Sequence, residues 1–258
     1  MDLALTRDVA RSLGRCELTF RDREPIDVER AVAQHQVYCD RLEALGLEVL
    51  RLPADEACPD GCFVEDVAVV LDEVAVITMP GAPSRRPEVP PVRDALRRFR
   101  RCEEMALPAT LDGGDVLRLG RRLLVGRTAR TNEAGIAALR AAVAPFGYQV
   151  VPVVVTDCLH LKSAVTALDE ETLLAVPGAV DEAHFAGHEL VAVPEEERDA
   201  ANVLRVRGEV WVAAGFPRTL DRLDGRGYRV VPMDVSEFLK AEAGLTCKSV
   251  LFRRNGPG

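Results

Sequence analysis

Cys247 stands beside Lys248 in the stretch GLTCKSVLF, Gly244 to Phe252, in a chain with seven cysteines and only three lysines. A thiol becomes a nucleophile when a base or a nearby positive charge favours its thiolate. His160, in CLHLK, offers an imidazole, and carboxylates recur in PDGCFVED (Asp60, Glu65, Asp66) and in TLDGGD (Asp112, Asp115). A thiol, an imidazole and carboxylates form a set that covalent catalysis can use. Each also has a plainer reading. His160 between Leu159 and Leu161 fits a hydrogen-bonded core histidine, Cys247 a small buried apolar residue, and Asp112 before Gly113 and Gly114 a turn. Metal binding is not expected: no second cysteine pair answers Cys58 and Cys62, and His184 and His188, at i and i+4 around Gly187, lack a third ligand. Gly113-Gly114 is not followed by a phosphate-loop lysine, so no nucleotide is expected either.

A repeat in the apolar pattern explains how these residues meet. Alternating hairpins begin at 67 (VAVVLDEVAVIT), 115 (DVLRLGRRLLVG), 163 (SAVTALDEETLLAV) and 202 (NVLRVRGEVWVAAG), and a last strand, SVLFRR, begins at 249. These starts are 48, 48, 39 and 47 residues apart. Helical spacing marks VRDALRRFRRCEEM and TNEAGIAALRAAVAPFG. The clearest helix is DVERAVAQHQVYCDRLEALG, with Asp27 as N-cap and Gly46 as its stop. Apolar strands follow most helices: LEVLRL, YQVVPVVV, ELVAV and YRVVPM. A hairpin, helix, strand unit cannot bury a core alone, so five of them are expected to surround an axis. The N-terminal helix and strand would complete the unit that Ser249 begins. The predicted fold is a five-bladed α/β propeller of ββαβ units forming one domain over residues 1–258, with an open α/β sheet as the alternative. In a propeller the loops before the hairpins converge, which brings Asp66, Asp112, His160 and Cys247 to one register.

Composition narrows the partners. A net charge of −8 disfavours nucleic acid and anionic membrane, and 48% hydrophobic content over 258 residues allows a substantial core. The N-terminus shows no basic region followed by an apolar run, and no apolar stretch reaches membrane-spanning length. An odd number of irregularly spaced cysteines suits reduced thiols, so a soluble cytoplasmic protein is expected, monomer or homodimer.

The motifs PDGCFVEDVAVV, PGAPSRRPEV, ATLDGGDVL, LLVGRTARTN, LHLKS and GLTCKSVLF, in this order, closely resemble those of the dimethylarginine dimethylaminohydrolases, members of the guanidine-modifying (amidinotransferase-like) superfamily. The resemblance runs from about Leu18 to the last strand. It implies a five-bladed α/β propeller and hydrolysis of a small-molecule methylated arginine to citrulline and an alkylamine, with no cofactor. It implies Cys247 as nucleophile, His160 as general acid and base, and Asp112 as the carboxylate orienting the histidine. Asp60, Glu65 and Asp66 match the carboxylates around the substrate, and Arg85 and Arg130 the arginines that hold its carboxylate. Leu18 and Ala241 match backbone or loop contacts to the amino-acid end, by spacing rather than by residue type. Arginine deiminase is the nearest alternative activity, and a catalytically silent guanidine-binding protein a more distant one. Lys248, adjacent to Cys247 on a segment read as extended, is expected to point away from the thiol.

Overall fold

The computed structural model describes residues 2–254. Strand β1 (Asp2–Arg7) is followed by helix α1 (Val28–Ala44) and strand β2 (Glu48–Leu52), which pairs parallel with β1. Asp27 caps α1 by accepting from the Arg30 amide at 3.0 Å, and Gly46, at φ +81°, turns the chain out of the helix into β2. A left-handed residue is needed there because the next strand must run back along the helix, and glycine adopts that φ without a Cβ clash.

Four complete units follow. In the first, β3 (Ala68–Val70) and β4 (Val74–Ile77) form a hairpin, α2 (Val89–Leu96) crosses over, and β5 (Arg101–Glu104) returns parallel to β4. The second repeats this with β6 (Val116–Leu119), β7 (Arg122–Arg127), α3 (Glu133–Val143) and β8 (Gln149–Val154). In the third, the one-turn helix α4 (Leu161–Ala164) precedes β9 (Val165–Ala167), β10 (Thr172–Ala175) and β11 (Glu189–Ala192). The fourth comprises β12 (Leu204–Val206), β13 (Glu209–Ala213), α5 (Pro217–Asp224) and β14 (Arg229–Met233). After α6 (Ser236–Leu239), the last strand β15 (Val250–Arg253) pairs antiparallel with β1, and this closes the ring. Five three-stranded sheets thus surround one axis as a five-bladed α/β propeller.

The hairpins begin within two residues of the positions read from the sequence. Three readings are corrected. The middle strand of the closing unit is β1, which the sequence pattern had not marked. Residues 101–104, read as the end of a helix through Met105, form β5: parallel pairing with β4 overrides the helical spacing of its charged residues. His184 and His188 do not share an α-helix face, because the third crossover is a single 3-10 turn, Glu182–Phe185, and His188 lies beyond it.

Apolar side chains fill the gaps between blades. α1 packs Tyr38, Cys39 and Leu42 against Trp211 of β13 and Phe238 of α6; α2 and α3 cover the first and second blades with Leu96, Val92, Ile136 and Leu139. Burying a side chain the size of Leu or Phe contributes roughly 1.5–3 kcal/mol, so these seams hold the blades at fixed angles. Among the described residues, no helix is long and apolar enough to cross a membrane.

Candidate active site

A short helical segment lies just before the innermost strand of each blade. These are the turns Val64–Val67, Gly113–Asp115, Leu161–Ala164, Glu195–Ala201 and Thr246–Lys248. Asp66 lies in the first, Asp112 and His160 immediately precede the second and third, and Cys247 lies in the last. Convergence of these turns makes the site, and two glycines permit it. A Cβ on Gly114 would lie 2.6 Å from His160 Nδ1 and 2.8 Å from Asp66 Oδ1, and one on Gly113 would lie 2.0 Å from the Glu65 carbonyl.

Asp112 and His160 meet at 3.2 Å through Oδ2 and Nε2, while Oδ1 of Asp112 accepts from the Gly81 amide at 2.9 Å. Nδ1 of His160 faces Asp66 Oδ1 at 3.9 Å. Burial alone would push the imidazole down, but the charge of Asp66, the bond to Asp112 and the charge of Asp115 outweigh it and raise His160 to about 9. At neutral pH the histidine is therefore an imidazolium. Asp115 is wholly buried and anchors it from behind: one carboxylate oxygen accepts from the Leu161 amide at 3.0 Å, and the other from the hydroxyls of Thr128 and Thr131 at 2.6 Å each. Burial and the nearby Glu65 and Asp66 carboxylates push the Cys247 thiol up to about 12, against the weaker opposing pull of the Gly244 backbone amide and Lys162. The resting site thus pairs a neutral thiol with a charged imidazole, and a cation bound beside Asp66 would reverse the field that keeps the thiol protonated.

Cys247, His160, Asp66, Asp60, Arg85, Arg130 and Ala241 all border one narrow pocket of about 20 Å3, together with Glu17, Phe63, Leu159, Glu242 and Ala243. Arg85 is fully buried in an ion network, donating to Asp66 Oδ2 at 2.6 Å and through Nε and Nη2 to Glu88 at 3.1 and 2.9 Å. Burial raises Glu88 to about 7 even against this arginine. Arg130 is freer, its guanidinium reaching only the Thr19 hydroxyl at 3.1 Å among the bonds described. Asp60 is raised by burial, against the pull of Arg85, and accepts the Glu17 amide with both oxygens at 3.2 and 3.1 Å. Over this end lies the loop Glu17–Arg21, tied down by the Glu242 carboxylate, which accepts the amides of Thr19, Phe20 and Arg21. In this state the pocket has room for little more than a water or two.

Asp112 stands behind His160 rather than on the pocket wall. One expected contact lies elsewhere. Glu65 does not border the pocket: its oxygens accept from Lys162 Nζ and, at 2.6 Å, from the Thr246 hydroxyl, and it faces a second cavity of about 270 Å3. Leu18 packs its side chain on the core beside α1, while its backbone belongs to the loop Glu17–Arg21 over the pocket. Lys248 does lie apart from the pocket, though in a helical turn rather than an extended segment. Its ammonium rests 4.5 and 4.0 Å from the ring centroids of Tyr38 and Phe238, with no hydrogen-bond partner among the described residues, and burial lowers it to about 7. Sequence reading had not singled out Glu88, Lys162, Asn202, Thr246 or Glu242 as site residues. Glu88 could have been found from its i, i+3 spacing to Arg85, and Asn202 from its place before the fourth hairpin; Thr246 and Glu242 carry no such signal. Asp66, Asp112 and His160 offer ligand atoms within 4.8 Å of one another, but a metal ion there would compete with Arg85, Gly81 and Gly114 for oxygens already bonded.

No protein-family model matches this chain. The dimethylarginine dimethylaminohydrolase of Streptomyces coelicolor is 41% identical to it over 252 residues, 97% of this chain and 96% of that one. The enzyme of the same name from Pseudomonas aeruginosa is 35% identical over 88% of this chain and 90% of its own. A solved structure of the Pseudomonas aeruginosa protein, a cysteine-to-serine variant complexed with citrulline, superimposes with a TM-score of 0.93 at 34% identity, covering 96% of this chain and 98% of that one. The N-terminal domain of a cyanobacterial arginine dihydrolase, at 18% identity and a TM-score of 0.83, covers 97% of this chain and 98% of its own and shares the fold.

Proposed function

This chain belongs to the dimethylarginine dimethylaminohydrolase family, and from that premise we propose that it hydrolyses N-omega-methylated arginines to citrulline and dimethylamine or methylamine through Cys247. It is a hydrolase acting on a C–N bond of a linear amidine. The observation that carries the residue roles is the pocket itself: Cys247, His160 and Asp66 stand on the same wall system as Arg85, Arg130 and Asp60. A substrate with a guanidinium at one end and an α-amino acid at the other matches that distribution of charge.

The steps follow from the resting protonation. The substrate's guanidinium lies against Asp66, its carboxylate against Arg130, and its ammonium against Asp60. Its positive charge offsets Glu65 and Asp66, so Cys247 releases its proton to solvent and becomes a thiolate. Sulfur attacks the guanidinium carbon, and a tetrahedral adduct forms. His160, already an imidazolium, gives its proton to the departing dimethylamine nitrogen and the C–N bond breaks, leaving a thiouronium on Cys247. The neutral imidazole, aligned by Asp112, then takes a proton from water as its oxygen attacks that carbon. Collapse expels the thiolate, which takes up the proton still on the new oxygen, and citrulline and the resting thiol are left. No step requires an oxidant or a bound metal.

The test is to incubate the protein with asymmetric dimethylarginine, monomethylarginine and arginine, and to measure citrulline and the released amine. Citrulline and dimethylamine are expected with the first, and Cys247→Ser is expected to bind without turnover. Citrulline from none of the three would sink the hydrolase assignment; ammonia from arginine alone would reassign the chain to arginine deimination.

A further inference from the structure

The fourth blade contributes no residue to the pocket chemistry, yet Asn202 stands at its equivalent position, two residues before β12. The amide side chain of Asn202 is buried and spends every polar atom on neighbouring blades. Its Oδ1 accepts from the backbone amide of Thr246 at 2.9 Å, and its Nδ2 donates to the Lys162 carbonyl at 2.9 Å and to the Thr246 hydroxyl at 3.1 Å. The hydroxyl in turn donates to Glu65 Oε2 at 2.6 Å. On its other side Asn202 presses on Gly244: a Cβ there would lie 2.4 Å from Asn202 Cγ and Oδ1. One side chain therefore bonds Thr246 and packs against Gly244, on the turn that leads into Cys247.

From this geometry we infer that Asn202 is a positioning residue for the nucleophile, holding Thr246 and the adjoining Gly244 backbone so that the turn delivers the Cys247 sulfur to the pocket. The inference rests on the assignment of Cys247 as nucleophile. Serine or leucine at 202 would not reproduce the grip. Only a planar amide of this length offers one acceptor to an N–H and a donor to two oxygens at once. The charges around Cys247 are Glu65, Asp66 and Lys162, with His160 on the same pocket wall and Lys248 behind it, and Asn202, being uncharged, adds none of its own. Substrate-binding groups Arg130, Asp60 and Asp66 do not touch Asn202 through any described bond, so substrate affinity is expected to be spared.

The experiment compares Asn202→Ala with the unaltered protein in two readouts. The first is the split between kcat and KM for asymmetric dimethylarginine. The second, which needs no substrate, is the rate at which iodoacetamide alkylates Cys247 at a fixed pH, followed by mass spectrometry of the peptide that carries it. Loss of the Asn202 bonds that fix this turn is expected to lower both kcat and the alkylation rate about tenfold or more, with KM changed by less than about threefold. Unchanged kcat and alkylation, or a rise in KM alone, overturns the inference. If Asn202→Ala does not fold, Thr246→Val, which keeps the volume and removes the hydroxyl linking Asn202 to Glu65, is measured in the same two ways: a fall in both rates supports the positioning role, and unchanged rates overturn it. Failure of the unaltered protein to release citrulline strikes the proposed function instead. Slower alkylation of Cys247 in the variant would still support the positioning role.

Discussion

At the scale of single residues, the site is governed by where charge is left after burial. His160 is held as an imidazolium by Asp66 and Asp112 although burial opposes it, and Cys247 is held as a thiol because burial and two carboxylates oppose its ionisation. A linkage follows with a definite sign. The folded histidine, at about 9, lies above its ordinary value of 6.5, so its contribution to stability is complete below about pH 6.5 and is lost as pH rises through 9. The His160 part of the unfolding free energy measured by urea is therefore expected to fall over that window by an amount on the order of 1–3 kcal/mol, against an opposing rise from Lys248, whose folded value of about 7 lies below its ordinary 10.5. His160→Gln should flatten the fall; equal slopes in both proteins would place the titrating group elsewhere. Glu65 is the instructive departure at this scale. Its neighbours in sequence marked it as a substrate carboxylate, whereas Lys162 and Thr246 occupy both its oxygens. Adjacent residues in a 3-10 turn point in directions about a third of a turn apart, so Asp66 borders the pocket while Glu65, though its charge still reaches Cys247, turns to the second cavity.

At the scale of elements, each chemical group is delivered by a short turn and not by a helix or strand interior. Such turns have few hydrogen bonds of their own, which is why buried side chains from neighbouring blades fasten them: Asp115 to the Leu161 amide, Asn202 to the Thr246 amide, and Asp66 to the Gly114 amide at 3.0 Å. Close approach also demands glycine at 114. Gly114→Ala would force its methyl group against His160 Nδ1 and Asp66 Oδ1. With the imidazole displaced by a fraction of an ångström to an ångström, kcat is expected to drop about a hundredfold. Circular dichroism should remain native, because the turn's own backbone angles suit alanine; an unimpaired kcat would show that the imidazole does not need that space. The helices answer a different demand. Asp27 and Asn132 cap α1 and α3, with Asn132 Oδ1 accepting the Gly135 amide at 2.8 Å, and the latter cap fixes the segment that carries Arg130.

At the scale of the whole molecule, closure is the decisive event. β1 brings Leu3 and Leu5 opposite Phe252 and Val250 of β15, so the first and last strands share one blade. Arg100 reinforces the seam: it donates to the Leu71 carbonyl at 3.0 Å and to the Arg253 carbonyl, and lies over the Phe252 ring at 5.7 Å. Phe252 also meets Phe99 edge-on at 5.6 Å. Phe252→Ala is expected to cost about 3 kcal/mol, read as a lower urea midpoint with the slope unchanged. A second, separate transition in that variant would mean that the closing blade opens independently of the other four. Cys247 lies three residues before β15, so loosening this seam should lower activity before the remaining blades unfold.

What the sequence determined by itself was the repeat, and with it the ring: apolar alternation returning every 39 to 48 residues has no core to bury except against its neighbours. The residue types before the strands, with their resemblance to a known family, pointed to thiol, imidazole and carboxylate at one end of the axis. Tertiary structure decided which of them face the pocket. Glu65 turned to Lys162 and Thr246, 97 and 181 residues away, and the middle strand of the last blade proved to be β1, paired with a strand at the other end of the chain, because partners so distant in sequence are not legible in local pattern. The same holds for Asn202 and Glu242, whose importance lies in the amides they accept. A backbone N–H has no side-chain signature, and only the folded ring shows which carboxylate or carboxamide it meets.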